Sequence, residues 1–288
     1  MKIGVSSYSY SGIFGKDGFD IYKLIKTVKE QGFDGIEFAG VPNGETDIWE
    51  FCKLVKKLCA DEGLEIINYC VGSDFINGGG GDINKEIEAV KRHVDIAEAI
   101  GSPLMRHDAT RGPDKTAPLP RGFDDLVERL AQGYREVTVY AEKKNIRTTV
   151  ENHGYFVQDS ARVEKLINKT AHKNFGALID IGNFLCADEN PVYAAGILAP
   201  YAFHVHAKDF HVKNGMGPDP GEGFFKSRGG NYLRGAIVGH GSAPVDQCLN
   251  ILKNSGYEGY LSLEFEGLEH PLTGTSLGLR YLKKFLTG

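Results

Sequence analysis

The sequence predicts an α/β protein folded as a single (β/α)8 barrel, and three observations point there. Eight β-rich runs alternate with eight longer segments of helical periodicity. The length of 288 residues suits one barrel of about 250 residues carrying insertions. No Pro/Ser-rich linker or shift in composition divides residues 1–288 into separate domains. A doubly wound open sheet is the alternative architecture.

In chain order, the first strand run is KIGVSS (2–7). DIYKLIKTVKEQG (20–32) then reads as a helix, with Ile21, Leu24, Ile25 and Val28 on one face and Gly32 as its stop. FDGIEFA (33–39), introduced by that glycine, is the second strand, and residues 46–62 the second helix. LEIINYCV (64–71) precedes a helix over 84–100, and SPLMRHD (102–108) a helix over 122–144. IRTTVEN (146–152) pairs with a helix over 160–170, and FGALIDI (175–181) with one over 191–198. AFHVHAKD (202–209) is followed, after a long insertion, by a helix over 244–255; YLSLEFE (260–266) and residues 274–286 complete the eighth pair.

Two connections are too long and glycine-rich for simple turns, DFINGGGGD after strand three and residues 211–243 after strand seven. Both leave the C-terminal ends of strands, where barrels build their active sites, and the second is expected to form a partly mobile lid. The glycine run 78–81 lacks the lysine and Ser/Thr of a phosphate-binding loop and reads as a lid tip.

Composition narrows the function. With 41% hydrophobic and 25% charged residues the chain has ample material for a core, and a formal net charge of −5 offers no global attraction for nucleic acid or anionic lipid. Five cysteines without CxxC spacing suit free thiols in a reducing compartment. No secretion-signal profile or membrane-length apolar run is seen, so the expectation is a cytoplasmic protein with no membrane or nucleic-acid partner; a homo-oligomer is left open.

The chemistry collects at strand ends. In FHVHAKDF (203–210) alternate residues share a face, so His204, His206 and Lys208 oppose Phe203, Val205 and Ala207. Glu151, Asp180, His206 and Glu264 break apolar runs near the C-terminal ends of strands five to eight. Three carboxylates crowded at one mouth repel one another unless a cation lies between them. With one imidazole they form a mostly hard donor set that suits one divalent metal ion, Mn2+ or Mg2+, with Co2+, Zn2+ or Fe2+ as other options. His204, two residues deeper than His206, is expected to orient a ligand or pack in the core, and Glu266 to make a rim hydrogen bond.

GFDGIEF, VENHG, DIGN, HAKD and GYEGYLSLEFE, in this order across essentially the whole chain, resemble the xylose isomerase-like (AP endonuclease 2) TIM-barrel superfamily of sugar isomerases and epimerases. The resemblance implies that Glu151, Asp180, His206 and Glu264 bind one metal and that Glu151 and Glu264 are the catalytic acid/base pair. The implied reaction is isomerisation or epimerisation of a ketose or keto-polyol by proton transfer through a metal-stabilised enediolate. One departure stands out: Asn183 in DIGN occupies the position of a histidine in the D-x-x-H of ketose 3-epimerases. That points toward a different polyol, a keto-inositol or a keto-glycoside. A dehydratase or lyase using the same site is the alternative, and an endonuclease IV-like repair enzyme a further one, for which extra His and Asp ligands and a basic groove are lacking. The remaining substrate-binding candidates are Glu37, His107, His153, Lys208, Arg228 and Arg234, with Asp108 beside His107.

Overall fold

The computed structural model describes residues 1–40, 47–114 and 122–287. Eight parallel strands close into a barrel: β1 (Lys2–Ser6), β2 (Gly35–Ala39), β3 (Glu65–Val71), β4 (Leu104–His107), β5 (Arg147–Glu151), β6 (Phe175–Asp180), β7 (Ala202–Ala207) and β11 (Tyr260–Leu263). They are hydrogen-bonded in the order β1-β11-β7-β6-β5-β4-β3-β2. The eight intervening helices are α1 (Ile21–Gln31), α2 (Ile48–Asp61), α3 (Ile83–Ile100), α4 (Phe123–Glu142), α5 (Ser160–Thr170), α6 (Pro191–Leu198), α7 (Val245–Asn254) and α8 (Pro271–Thr287). This is the single (β/α)8 TIM barrel that the alternation predicts; residue 46, the expected start of the second helix, lies outside the described residues.

Local chemistry sets the helix ends. Asp20, Asp47, Asp82, Asp159 and Asn190 accept backbone N–H bonds in the first turns of α1, α2, α3, α5 and α6. Gly32 ends α1 at φ +89°, a left-handed conformation that glycine reaches without Cβ strain.

Strand alternation divides the barrel into two media. Ile36, Val150, Ile179, Val205, Leu261 and Leu263 are buried in the apolar shell between sheet and helices. The alternate residues Glu37, Asn68, Arg106, Thr149, His204, His206 and Ser262 are also buried, in a polar barrel interior. Paired registers align them in layers, with Glu37 beside Asn68, Arg106 beside Thr149, and Asp180 beside His206. Strand β11 stops at Leu263, so Glu264, inside the expected run 260–266, lies just past the observed strand; its N–H still donates to Ala207 O at 3.0 Å.

The insertion after strand seven is more ordered than a glycine-rich loop suggests. It forms a three-stranded antiparallel sheet, β8 (Asp209–Lys213), β10 (Tyr232–Ala236) and β9 (Phe225–Lys226) in that spatial order, beginning two residues before the expected loop. Phe210 and Leu233 bury one face of it against Cys186. The sheet is bolted at both ends. Asp209 accepts N–H bonds from Phe210, Gly239, Gly241 and Ala243 at 2.8–3.0 Å. Asp188 accepts from Ser227 Oγ at 2.6 Å, Asn231 Nδ2 at 2.8 Å and the Gly229 N–H. A backbone bridge joins Gly235 to Gly267, beyond the end of β11; a Cβ on Gly235 would lie 2.3 Å from Glu266 O, so only glycine allows this approach. The run 78–81 is a 3-10 turn with Gly79 and Gly80 at positive φ, leading into α3.

Candidate metal centre and active site

At the C-terminal mouth lies a cavity of about 840 Å³ whose wall includes Arg106, Glu151, His206, Lys208, Glu264 and Glu266. Glu151, Asp180, His206 and Glu264 each offer one atom, all four within 4.8 Å of one another. His206 Nδ1 sits 3.6 Å from Asp180 Oδ2, 3.6 Å from Glu264 Oε2 and 3.9 Å from Glu151 Oε1, too far for hydrogen bonds. Such spacings come near the edges of a coordination polyhedron with bonds of about 2.1 Å. Asp180 Oδ2 and His206 Nδ1 are buried and have no hydrogen-bond partner. Three buried carboxylates and one imidazole nitrogen converging with two atoms unsatisfied fit a divalent cation. All four sit on consecutive barrel strands, β5, β6, β7 and β11 or its first following residue.

Each donor is held from behind. The other His206 nitrogen, Nε2, lies 2.8 and 3.0 Å from the two oxygens of Glu37. Glu37 also accepts from Asn68 Nδ2 at 2.8 Å and lies 2.9 Å from His204 Nε2. Burial pushes the Glu37 carboxyl up, but His206 and His204 outweigh it and hold it well below the usual range. Asp180 is fixed through its backbone: Asn152 Oδ1 accepts its N–H at 2.8 Å and Asn152 Nδ2 donates to its carbonyl at 2.9 Å. Its Oδ1 caps the Asn183 N–H at 2.9 Å.

Glu151 and Glu264 have different electrostatic surroundings. Glu151 Oε1 accepts from Asn183 Nδ2 at 2.9 Å, and Oε2 lies 2.6 Å from Arg106 Nη2. Burial pushes its carboxyl above the ordinary value despite Arg106 and His206. Glu264 is also buried, yet Lys208, whose Nζ lies 2.9 Å away, and His206 more than offset that and lower its pKa strongly. Lys208 Nζ also lies 3.3 Å from Glu266 and 3.7 Å from Asp180. At the rim His153 Nδ1 pairs with Asp108 Oδ1 at 2.8 Å, and the same oxygen meets Arg106 Nη2 at 2.8 Å. Burial lowers the His153 pKa, but the Asp108 hydrogen bond and the charge of Glu151 raise it above its ordinary value.

The expected substrate-binding residues separate into two groups. His153 and Lys208 line the cavity. Glu37 lies beneath His206 and orients it, because its strand face points to the barrel axis below the mouth. Asn183 turns its amide to Glu151 and stands behind the carboxylates. His107 points out of the barrel: its ring stacks 4.3 Å from Tyr134, Ser73 Oγ is 3.2 Å from Nδ1, and burial depresses its pKa to about 3. Arg228 is drawn off by Asp159 at 2.9 Å and the Tyr155 carbonyl. Arg234 stacks over Phe224 at 5.4 Å and lines a separate cavity of the inserted sheet. Arg106 is a cavity residue that sequence reasoning missed. Strand parity gives the signal, since Arg106 shares its face with Asp108 and opposes His107. Tyr8, which is 45% exposed at the cavity edge, carries no comparable signal.

Among the described residues all five cysteines are free and buried, and no helix is long and apolar enough to cross a membrane. Inosose dehydratase of Bacillus anthracis is 28% identical to the chain over 211 residues, which are 67% of this chain and 60% of the relative's length. Inosose dehydratase of Clostridium botulinum (strain Eklund 17B / Type B) is 29% identical over 251 residues, covering 81% and 80% of the two chains. Solved structures share the fold, among them the following two. L-ribulose 3-epimerase superposes with a TM-score of 0.75 at 16% identity, covering 99% of this chain and 94% of that one. A xylose isomerase-like TIM barrel protein from Mycobacterium smegmatis in complex with magnesium gives 0.74 at 18% identity, covering 99% and 96%. Residues 25–285, from within α1 to the last turns of α8, match one family description throughout, and the chain belongs to the xylose isomerase-like TIM barrel family.

Proposed function

We propose that the chain is a divalent-metal-dependent enzyme that removes a proton from the carbon beside the carbonyl of a ketose or keto-polyol. The observation that carries this reading is the convergence of Glu151, Asp180, His206 and Glu264 at the cavity floor, with Asp180 Oδ2 and His206 Nδ1 buried and unpaired. Mn2+ or Mg2+ held by these four supplies Lewis-acid stabilisation of negative charge developing on the substrate oxygens. Glu264, kept ionised by Lys208, is the proton acceptor. Glu151, held by Arg106 on the same centre, is its partner in proton transfer. Arg106 and Asn183 fix the Glu151 carboxyl at its two oxygens, so that it faces the cavity in one orientation.

Two outcomes diverge once the proton has been removed. Dehydration of a keto-inositol is the outcome we favour, because elimination needs an acid for the departing hydroxyl. The Asp108–His153 pair at the cavity wall sets beside Glu151 an imidazole whose proton affinity the aspartate raises, a candidate for that acid. The inosose dehydratase relatives support the same outcome. Epimerisation or isomerisation is the second reading, supported by the opposed Glu151 and Glu264 and by the likeness to L-ribulose 3-epimerase. In that case Glu151 returns the proton to the opposite face or to the neighbouring carbon.

The test is incubation with scyllo-inosose and with free ketoses in D2O containing Mn2+ or Mg2+, followed by NMR and ultraviolet absorbance. Loss of water with a conjugated enone identifies the dehydratase, and deuterium incorporation without loss of water the epimerase or isomerase. If metal-loaded protein catalyses neither on any member of the panel, the proposal is wrong.

A further inference from the structure

The cavity is larger than its acidic floor requires. Pockets of about 300–1,000 Å³ hold drug-sized ligands, so 840 Å³ leaves room beyond a single six-carbon ring. The additional wall belongs to β3 and α3, where Tyr69, Arg92, His93 and Ile96 line the same cavity. Tyr69 Oη lies 3.1 Å from His93 Nδ1, which leaves Nε2 as the ring's remaining polar atom.

Charge pairing around this end is uneven. The acids one turn either side of Arg92 are already engaged: Glu88 with Lys91 at 2.8 Å, and Asp95 with Tyr140 at 2.8 Å and Lys144 at 3.1 Å. Arg92 has no ion pair or side-chain hydrogen bond among the described residues. The other two permanent cations on the cavity wall are neutralised, Arg106 by Glu151 and Asp108, and Lys208 by Glu264 and Glu266. The cavity is therefore polarised, with carboxylates at its floor and a free guanidinium at its far end.

We infer that Arg92, with His93 and Tyr69, forms a second subsite for an anionic substituent, a phosphate ester or carboxylate, on the sugar or polyol whose carbonyl end occupies the acidic floor. This rests on the reading of that floor proposed above. Arg92 offers a planar fork of donors that matches phosphate or carboxylate oxygens and, unlike Arg106 and Lys208, has no acid paired with it among the described residues, so its position also sets which way round the substrate lies.

The experiment is calorimetric titration of the full chain, in Mg2+, with D-fructose 6-phosphate, D-fructuronate and D-fructose. The expected result is that at least one anionic ligand binds about tenfold or more tightly than D-fructose, the range for a hydrogen bond to a charged group. Arg92→Gln, an exposed position whose replacement is checked by circular dichroism, should abolish that preference. Comparing the two anionic ligands shows whether phosphate or carboxylate is preferred. Equal or absent binding of all three ligands, or a preference that survives Arg92→Gln, overturns the inference. Turnover of a neutral ketose without anion preference removes the subsite and leaves the proposed chemistry standing. Arg92-dependent anion preference without turnover of any ketose does the reverse.

Discussion

Glu37 is the buried residue on which the geometry of His206 turns, and Glu37→Gln is the most telling perturbation of the centre. The wild-type carboxylate is inaccessible to solvent and accepts from His206 Nε2 at 2.8 Å and Asn68 Nδ2 at 2.8 Å, with His204 Nε2 2.9 Å away. Gln keeps the volume but turns one oxygen into a donor, so one of these N–H groups loses its acceptor. A buried unsatisfied group costs roughly 1–3 kcal/mol. For a chain of this size each kcal/mol lowers Tm by about 2–4 °C, so a fall of roughly 2–12 °C is expected. The second effect is on metal binding. Without the carboxylate, His206 is no longer fixed with Nδ1 toward the cavity, and loss of such a supporting partner typically costs about 10–100-fold in metal affinity. Thermal denaturation and Mn2+ titration on the same preparation measure both quantities. A folded Glu37→Gln protein with wild-type Mn2+ affinity would refute the claim that Glu37 orients the imidazole.

Three further outcomes are expected. Glu151→Gln and Glu264→Gln retain a ligating oxygen but lose the basic site, so bound metal should fall modestly while solvent-deuterium exchange into a confirmed substrate nearly stops; wild-type exchange in both metal-loaded variants would leave them as ligands only. His206→Ala should instead lose metal first, and excess Mn2+ should restore part of the activity by mass action; activity that ignores metal concentration contradicts this. The third concerns His107, whose pKa burial lowers from 6.5 to about 3. The fold binds this ring neutral, so its contribution is fully present above pH 6.5 and is lost as pH falls toward 3, at about 1.4 kcal/mol per pH unit. Side-chain NMR at pH 5 should show His107 neutral and His153 protonated, and the opposite order would show that the two environments have been misassigned.

Most of the barrel is legible in the sequence because its two periodicities differ sharply. A period of two marks AFHVHA, and i, i+3, i+4 spacing marks IYKLIKTV. The candidate donor cluster is legible for a related reason, since Glu151, Asp180 and His206 each directly follow an apolar residue near the end of a strand. The sheet within residues 209–236 is not, because β9 has only two residues and its pairing depends on contacts with Cys186 and Asp188 far along the chain. Long cations are the hardest to place. Arg106, Arg228 and Arg234 each reach several ångströms from their backbone, and which acid or ring captures them is decided by neighbours that only the folded chain supplies. His107 shows the complementary limit: residue type suggests a site, whereas one step of strand parity sends the ring into the core.

The donors all rise from one side of the barrel, β5, β6, β7 and β11, and the inserted sheet is tied to that same side through Asp188 and the Gly235–Gly267 bridge. Tyr8, Gly40, Tyr69, Gly72 and α3, which complete the cavity wall, belong to the opposite side. On the proposed reading, reactivity and selectivity fall largely to different stretches of the gene, with Glu37 beneath His206 the support that the first stretch lends to the second. A library randomised at positions 8, 69, 92, 93 and 96 alters what the cavity accepts without replacing a carboxylate or the imidazole. A new substrate range can then be sought at those positions, while the four candidate donors within residues 151–264, and Glu37 beneath them, are inherited unchanged.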